Sequence, residues 1–158
     1  MKTRSAEILK NPVYCLAFGF GSGLSPKAPG TLGTMVAVPF YFLLASLPIW
    51  AYALVVVIAF LLGIWVCSKT SDYLGAHDHG GIVFDEFVGY WITMFMVPIS
   101  WNWALLGFLI FRLLDILKPW PINYIDKRLK GGLGVMLDDA IAGGMSALCI
   151  HALIILTG

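Results

Sequence analysis

Nine acidic residues occur in the 158-residue chain, and six of them, five besides Asp78, fall in three short stretches. Asp85 and Glu86 lie in "HDHGGIVFDEFVGYW" (77–91), Asp115 in "FRLLDILKPWPI" (111–122), and Asp138 and Asp139 in "GGLGVMLDDAIAGG" (131–144). Two cations accompany them, Arg112 and Lys118. Brought together, five carboxylates and two cations leave a net charge of −3. Like charges 4 Å apart cost roughly 4 kcal/mol per pair at an intermediate effective dielectric, so such a cluster calls for a bound cation. An all-oxygen ligand set suits a hard ion such as Mg²⁺, which is commonly held by carboxylates together with phosphate oxygens. Arginine and lysine beside that ion suit a phosphate group. Asp85, Glu86, Asp115, Asp138 and Asp139 are therefore candidate metal ligands. Arg112 and Lys118 are candidate phosphate-binding residues.

Each acid also has a plainer use. The pairs at 85–86 and 138–139 precede apolar runs, where acids cap free N–H groups and complement the helix dipole. Asp115 sits toward the end of its predicted helix, where the dipole disfavours an acid, although Arg112 three residues earlier can neutralise it. Ionisable residues in membrane helices point to function by default. "GFGSGLSPKAPGTLGT" (19–34) adds glycine turns, whose N–H groups bind anions, and the hydroxyls of Thr31 and Thr34. It carries no Walker or Rossmann fingerprint. A general acid would come from His77 or His79, with His79 favoured; a solvated loop histidine is the plain alternative. Asp78 and Asp126 are expected as solvated loop acids and His151 as a packing residue. Cys15, Cys67 and Cys149 are odd in number and far apart, which suits reduced packing residues.

The elements that must position these groups are apolar. Hydrophobic residues make up 59% of the chain and charged residues 12%, with mean hydropathy +0.87. A soluble domain carries about 25% charged residues. The charges are clumped: 41 residues separate Lys27 from Lys69, 25 separate Glu86 from Arg112, and the last 19 carry none. Hydrocarbon is crossed by about 20 apolar residues in a helix. The composition thus predicts an all-α polytopic membrane bundle of four to five spans, forming one domain over residues 1–158. Residues 1–28 would form a basic interfacial arm and glycine-rich loop. The N-terminal "MKTRSAEILKNPVY" lacks the apolar stretch that follows the basic residues of a secretory signal. A net charge of +1 and no basic stripe argue against a nucleic-acid partner.

Proline and small-polar residues break the long runs. Pro48 predicts a hairpin of helices over 33–47 and 49–68, and "VPISWNW" (97–103) a second over 82–98 and 102–118. The final helix is expected to start near Asp138, with Ala140, Gly143 or Gly144, and Ala147 at small-xxx-small spacing. With two hairpins, all five acids share one side. Lys27 and Lys69 make that side cytoplasmic under the positive-inside rule.

Motifs of several phosphatase and transferase classes are missing, including the Cys-x5-Arg loop, Asp-x-Asp-x-Thr, the histidine-type lipid phosphatase motifs and the CDP-alcohol transferase aspartates. The stretches "GFGSGLSPKAPGTLGT", "HDHGGIVFDEFVGYW", "FRLLDILKPWPI" and "GGLGVMLDDAIAGG" occur together and in order between about residues 11 and 145. In this the chain resembles the bacterial phosphatidylglycerophosphatase A family. The resemblance implies a Mg²⁺-dependent inner-membrane enzyme that hydrolyses phosphatidylglycerol phosphate to phosphatidylglycerol and phosphate. The expected partners are a phospholipid substrate and the bilayer; the resemblance leaves the oligomeric state open. Independently of the resemblance, Asp85, Asp115, Asp139 and His79 are read from the residues as the catalytic set, and either water or an aspartate attacks phosphorus. Two rival classes are a small cation transporter that uses the same acids as ion ligands, and a non-catalytic membrane scaffold.

Overall fold

The computed structural model describes residues 2–77 and 79–158; Asp78 lies outside them. Among the described residues all regular structure is helical. The order is α1 (Lys2–Lys10), α2 (Pro12–Ala17), a 3₁₀ segment (Gly19–Leu24), α3 (Pro29–Ala45), α4 (Ile49–Leu74), α5 (Phe84–Thr93), α6 (Trp101–Leu117), α7 (Ile122–Arg128) and α8 (Gly131–Thr157).

Helices α4 and α8 have 26 and 27 residues and are long and apolar enough to cross a membrane. At a rise of 1.5 Å per residue each spans about 40 Å, more than the ~30 Å hydrocarbon core. Their outward faces are apolar: Leu54, Val57, Ile58, Leu61 and Trp65 on α4, and Leu148, Ile155 and Leu156 on α8, are all at least half exposed. Meanwhile Asp85, Glu86, Asp115, Asp138 and Asp139 are each at least nine-tenths buried. Large apolar side chains face out and carboxylates face in, an arrangement that suits association with a membrane.

The first hairpin follows the predicted break. Helix α3 ends at Ala45, Pro48 caps α4, and the turn lies between them. The second hairpin is shorter on its first side. Helix α5 ends at Thr93 instead of near 98, and Met96 in the connection adopts positive φ before Ser100 caps α6 by accepting from the Trp103 N–H. Both turns lie at one end of the bundle, where Leu47 and Ile49 share a cavity with Met94, Pro98 and Ile99. The carboxylates lie at the other end.

Helix α5 is the central element and packs most extensively on α8. Gly89 and Gly143 meet backbone to backbone: a Cβ on Gly143 would overlap the Gly89 carbonyl, and one on Gly89 would lie 2.9 Å from the Asp139 carbonyl. This contact uses Gly143 of the predicted small-residue series; Gly144 faces open space. Tyr52 Oη donates to the Trp91 carbonyl (2.6 Å) and Trp91 Nε1 to the Ala37 carbonyl (3.2 Å), tying α4 and α3 to α5.

The expected start of the final helix is corrected. Helix α8 begins at Gly131, so Asp138 and Asp139 are two turns inside it and cannot be caps. "GGLG" is helical because docking overrides propensity: Gly132 lies against the Ile64 carbonyl of α4 and donates its N–H to Ser68 Oγ (3.0 Å). The N-terminal helices pack on α4. Tyr14 of α2 stacks on Tyr73 of α4 at 4.3 Å, Tyr73 Oη donates to Glu7 (2.7 Å), and Ile8 is buried with Ala17, Phe18 and Val66.

Candidate active site

Three helices deliver the charged residues to one pocket of about 390 Å³. Asp85 and Glu86 come from the first turn of α5, Arg112 and Asp115 from the end of α6, Asp138 and Asp139 from α8, and Lys118 from the cap after α6. All seven were singled out by type and spacing, and all seven line this pocket. Asp85 and Glu86 sit where acids suit the helix dipole, yet no side chain caps α5, whose N-cap is Val83. Lys118 takes a left-handed conformation (φ 45°) that ends α6 before Pro119 and turns its side chain back across the mouth.

The structure sorts the five carboxylates into two groups. Asp115 pairs with Arg112 one turn away, and Asp138 accepts from Lys118 Nζ at 3.0 Å. Asp85, Glu86 and Asp139 instead converge, each offering an oxygen within 4.8 Å of the others. Arg112 reaches only the edge of this trio, at 3.4 Å from Glu86 Oε1. Oε2 of Glu86 and Oδ2 of Asp139 are buried without a hydrogen-bond partner. At such spacing each carboxylate pair repels by roughly 3–4 kcal/mol at an effective dielectric near 20. Unsatisfied buried acceptors add their own desolvation cost. Buried, mutually repelling oxygens with open lone pairs fit a hard divalent cation.

Helix α3 contributes through its backbone. At Gly30, in its first turn, a Cβ would overlap Glu86 Oε1 and lie 3.0 Å from Arg112 Nη2. A hydrogen atom at that position lets α3 close over the Glu86–Arg112 pair. At the rim, Lys118 also bonds Asp126 at 2.9 Å. Burial by itself would lower the Lys118 pKa. Hydrogen bonds from Asp126 and Asp138 and their negative charge outweigh it and hold the lysine above its ordinary range.

Three predicted site residues are not brought to the pocket. Thr34 is fully buried and its hydroxyl donates to the Gly30 carbonyl at 2.9 Å, while Thr31 is half-buried on the same helix; neither lines the cavity. The reason is that α3 starts at Pro29, so both threonines are helical and not part of an anion-binding loop. His79 is exposed and its Nδ1 accepts from the Gly81 N–H (3.0 Å). His77 lines the pocket in its place, with Nδ1 accepting from the Gly131 N–H at 3.0 Å. Asp126, expected as a solvated loop acid, also lines the pocket, and Gly30, not singled out by sequence, closes on it. Asp126 pairs with Lys118 across the Pro119–Pro121 turn, eight residues away, and no local periodicity signals that contact. For Gly30 the available signal was "APG", a proline-glycine pair at a helix start.

The family model described as Phosphatidylglycerophosphatase A matches residues 15–154. Phosphatidylglycerophosphatase A of Escherichia coli (strain K12) is 49% identical over 140 residues, covering 88% of this chain and 81% of the relative. Its namesake in Haemophilus influenzae is 44% identical over 147 residues, covering 92% and 90%. No solved structure matches. The match spans α2 to α8 and so takes in every element that carries a pocket carboxylate; the chain belongs to the phosphatidylglycerophosphatase A family.

Proposed function

We propose that the chain hydrolyses phosphatidylglycerol phosphate to phosphatidylglycerol and inorganic phosphate, with Mg²⁺ held by Asp85, Glu86 and Asp139. The observation that carries this reading is the division of the pocket. Oxygens of three carboxylates converge within 4.8 Å of one another, with Glu86 Oε2 and Asp139 Oδ2 left without a hydrogen-bond partner, beside Arg112 and Lys118, which are held in place by Asp115 and Asp138. Family membership supports a phosphatase and a phosphatidyl substrate.

Arg112 and Lys118 bind the terminal phosphate. Asp115 and Asp138 orient them, so little side-chain freedom is lost when the phosphate arrives. When bound, Mg²⁺ supplies neutralisation of the phosphoryl oxygens and polarisation of the attacking group. The P–O bond to the glycerol head group breaks, one water is consumed, and its proton balances the leaving alkoxide. Two routes share this geometry: water attacks phosphorus directly, or one of the pocket aspartates attacks first and the acyl phosphate is hydrolysed. His77 stands at the pocket wall as the proton donor.

The protein is multi-pass. Helices α3, α4, α6 and α8 cross the bilayer and the shorter α5 packs among them, with the pocket on the cytoplasmic side. Support comes from charge placement. Lys27, Lys69, Lys118, Lys127, Arg128 and Lys130 adjoin the carboxylate end, while the turns at 46–48 and 94–100 and the end of α8 carry no charge. The lipid keeps its chains in the bilayer and only its head group enters the pocket.

The test is phosphate release from phosphatidylglycerol phosphate by the purified chain in detergent, with Mg²⁺ and then with EDTA. Release that is abolished by EDTA and restored by Mg²⁺ is expected. No release under any of these conditions would overturn the reading and favour a transporter or scaffold, neither of which liberates phosphate in detergent.

A further inference from the structure

Helix α4 ends at Leu74, three residues before His77, and Gly75 (φ 67°) turns the chain there. Two serines of α4 meet the segments on either side of His77, and neither lines the carboxylate pocket. Ser71 is buried and grips the turn twice. Its carbonyl accepts from the Ala76 N–H (3.3 Å), and its hydroxyl donates to the His77 carbonyl (3.2 Å). Ser68 lies three residues earlier and therefore on the same face of the helix. Its Oγ accepts from the Gly132 N–H at 3.0 Å. That bond, with the close approach of Gly132 to the Ile64 carbonyl, fixes where α8 begins. Gly131, the residue before, donates its own N–H to His77 Nδ1 at 3.0 Å. One serine thus places the His77 backbone, and the other places the group from which its ring accepts.

This arrangement also chooses the tautomer. A ring nitrogen that accepts a hydrogen bond carries no proton, so the neutral His77 ring has its hydrogen on Nε2. With Nδ1 taken by the first peptide of α8, Nε2–H is the donor left for the pocket that His77 lines. His77 is exposed, so packing alone does not order its ring. His79 gives the contrast. Its Nδ1 accepts from the Gly81 N–H inside its own loop, and it does not line the pocket. Helix α8 carries Gly131 at its start and Asp138 and Asp139 two turns on, so one rigid element sets both the ring and two of the carboxylates.

We infer that Ser68 and Ser71 are positioning residues, which act through His77 by holding its ring against α8 so that Nε2–H faces the leaving oxygen. Neither serine touches the substrate. The step that they serve rests on the phosphatase reading above; the geometry does not.

The experiment is a double-mutant cycle. Ser68→Ala and Ser71→Ala are each made in the wild-type chain and in His77→Ala, with Ser46→Ala in the turn at the far end of the bundle as control. Both α4 serines line a cavity of about 610 Å³, so water reaches the groups that alanine leaves open, and a thermal melt checks the fold. Each purified full-length protein is assayed in detergent with Mg²⁺ on phosphatidylglycerol phosphate. A positioned acid contributes roughly 10²–10⁴-fold, so each serine variant is expected to lower kcat about tenfold while KM stays within about twofold. The same substitution made in His77→Ala costs nothing further, and Ser46→Ala keeps wild-type turnover. Full turnover in both serine variants overturns the inference. So does an equal loss with and without His77, which marks a general effect on the fold. Independently of turnover, nitrogen NMR of isotope-labelled histidines in alkaline detergent solution reads the tautomer, with His77 assigned by its absence from His77→Ala. Wild type is expected to show Nδ1 bare and Nε2 protonated, and the serine variants a mixture of both tautomers. A protonated Nδ1 in wild type overturns the inference. The expected tautomer in a wild type that releases no phosphate would keep the positioning and sink the phosphatase reading instead.

Discussion

Replacing Gly30 by alanine separates catalysis from stability. The new methyl would overlap Glu86 Oε1 and lie 3.0 Å from Arg112 Nη2. An ordinary van der Waals contact needs about 3.5 Å, so the Glu86 carboxylate has to retreat by about 1 Å. That retreat takes it out of the set of three oxygens that lie within 4.8 Å of one another. A misplacement of 1 Å at a reacting centre costs about 10²-fold in rate. On the stability side alanine is favoured over glycine in a helix by roughly 0.5–1 kcal/mol, and the colliding atoms are the ends of side chains, which can move. The expected outcome is therefore a loss of turnover near a hundredfold with no fall in melting temperature. Phosphate release and a thermal melt in the same detergent check this. Gly144→Ala serves as reference, since a Cβ there meets nothing within 4 Å, and it should lose neither activity nor stability. Full turnover in Gly30→Ala would refute the placement of Glu86 in the site. A joint collapse of activity and fold would refute the claim that only side-chain ends are displaced.

Asp139→Asn removes one of three mutually repelling buried carboxylates, so the metal-free protein should melt higher than wild type while Mg²⁺ no longer raises the melting temperature. In wild type, Mg²⁺ at a hundred times its Kd should add about 2.7 kcal/mol, and an undiminished Mg²⁺ shift in the variant would remove Asp139 from the ligand set. Lys118→Ala should lower kcat/KM about tenfold to a hundredfold, the range of a lost charge-assisted hydrogen bond. Asp126→Asn breaks only the exposed half of the Lys118 network and should change kcat/KM by no more than a few-fold; equal losses in the two variants would show that the pair acts as a unit. His77→Ala should slow turnover and alter the pH profile, whereas His79→Ala should behave as wild type; the reverse ranking would return the proton-donor role to His79.

Much of this protein was legible without coordinates because its charged residues are few and clumped. Runs of 41 and 25 uncharged residues admit few alternatives to helices, and prolines at 48 and 98 mark where those helices reverse. Once two hairpins are accepted, Asp85, Glu86, Arg112, Asp115, Lys118, Asp138 and Asp139 must lie at one end, and they line one pocket. Helix boundaries were less legible. Residues 131–137 form the first two turns of α8 although three of the seven are glycine, because the docking of Gly132 on α4 outweighs their poor propensity.

The sequence by itself determined the helical class, the residue types available for chemistry, and their common side, since periodicity and charge exclusion from lipid act along the chain. Only the tertiary structure decided how those residues divide the work. Which carboxylates pair with Arg112 or Lys118, and which three bring oxygens within 4.8 Å of one another, depends on distances between α5, α6 and α8. His77 displaced His79 for the same reason, since its ring meets the Gly131 N–H at the start of α8, and the close approach of α5 and α8 at Gly89 and Gly143 joins residues far apart in the chain.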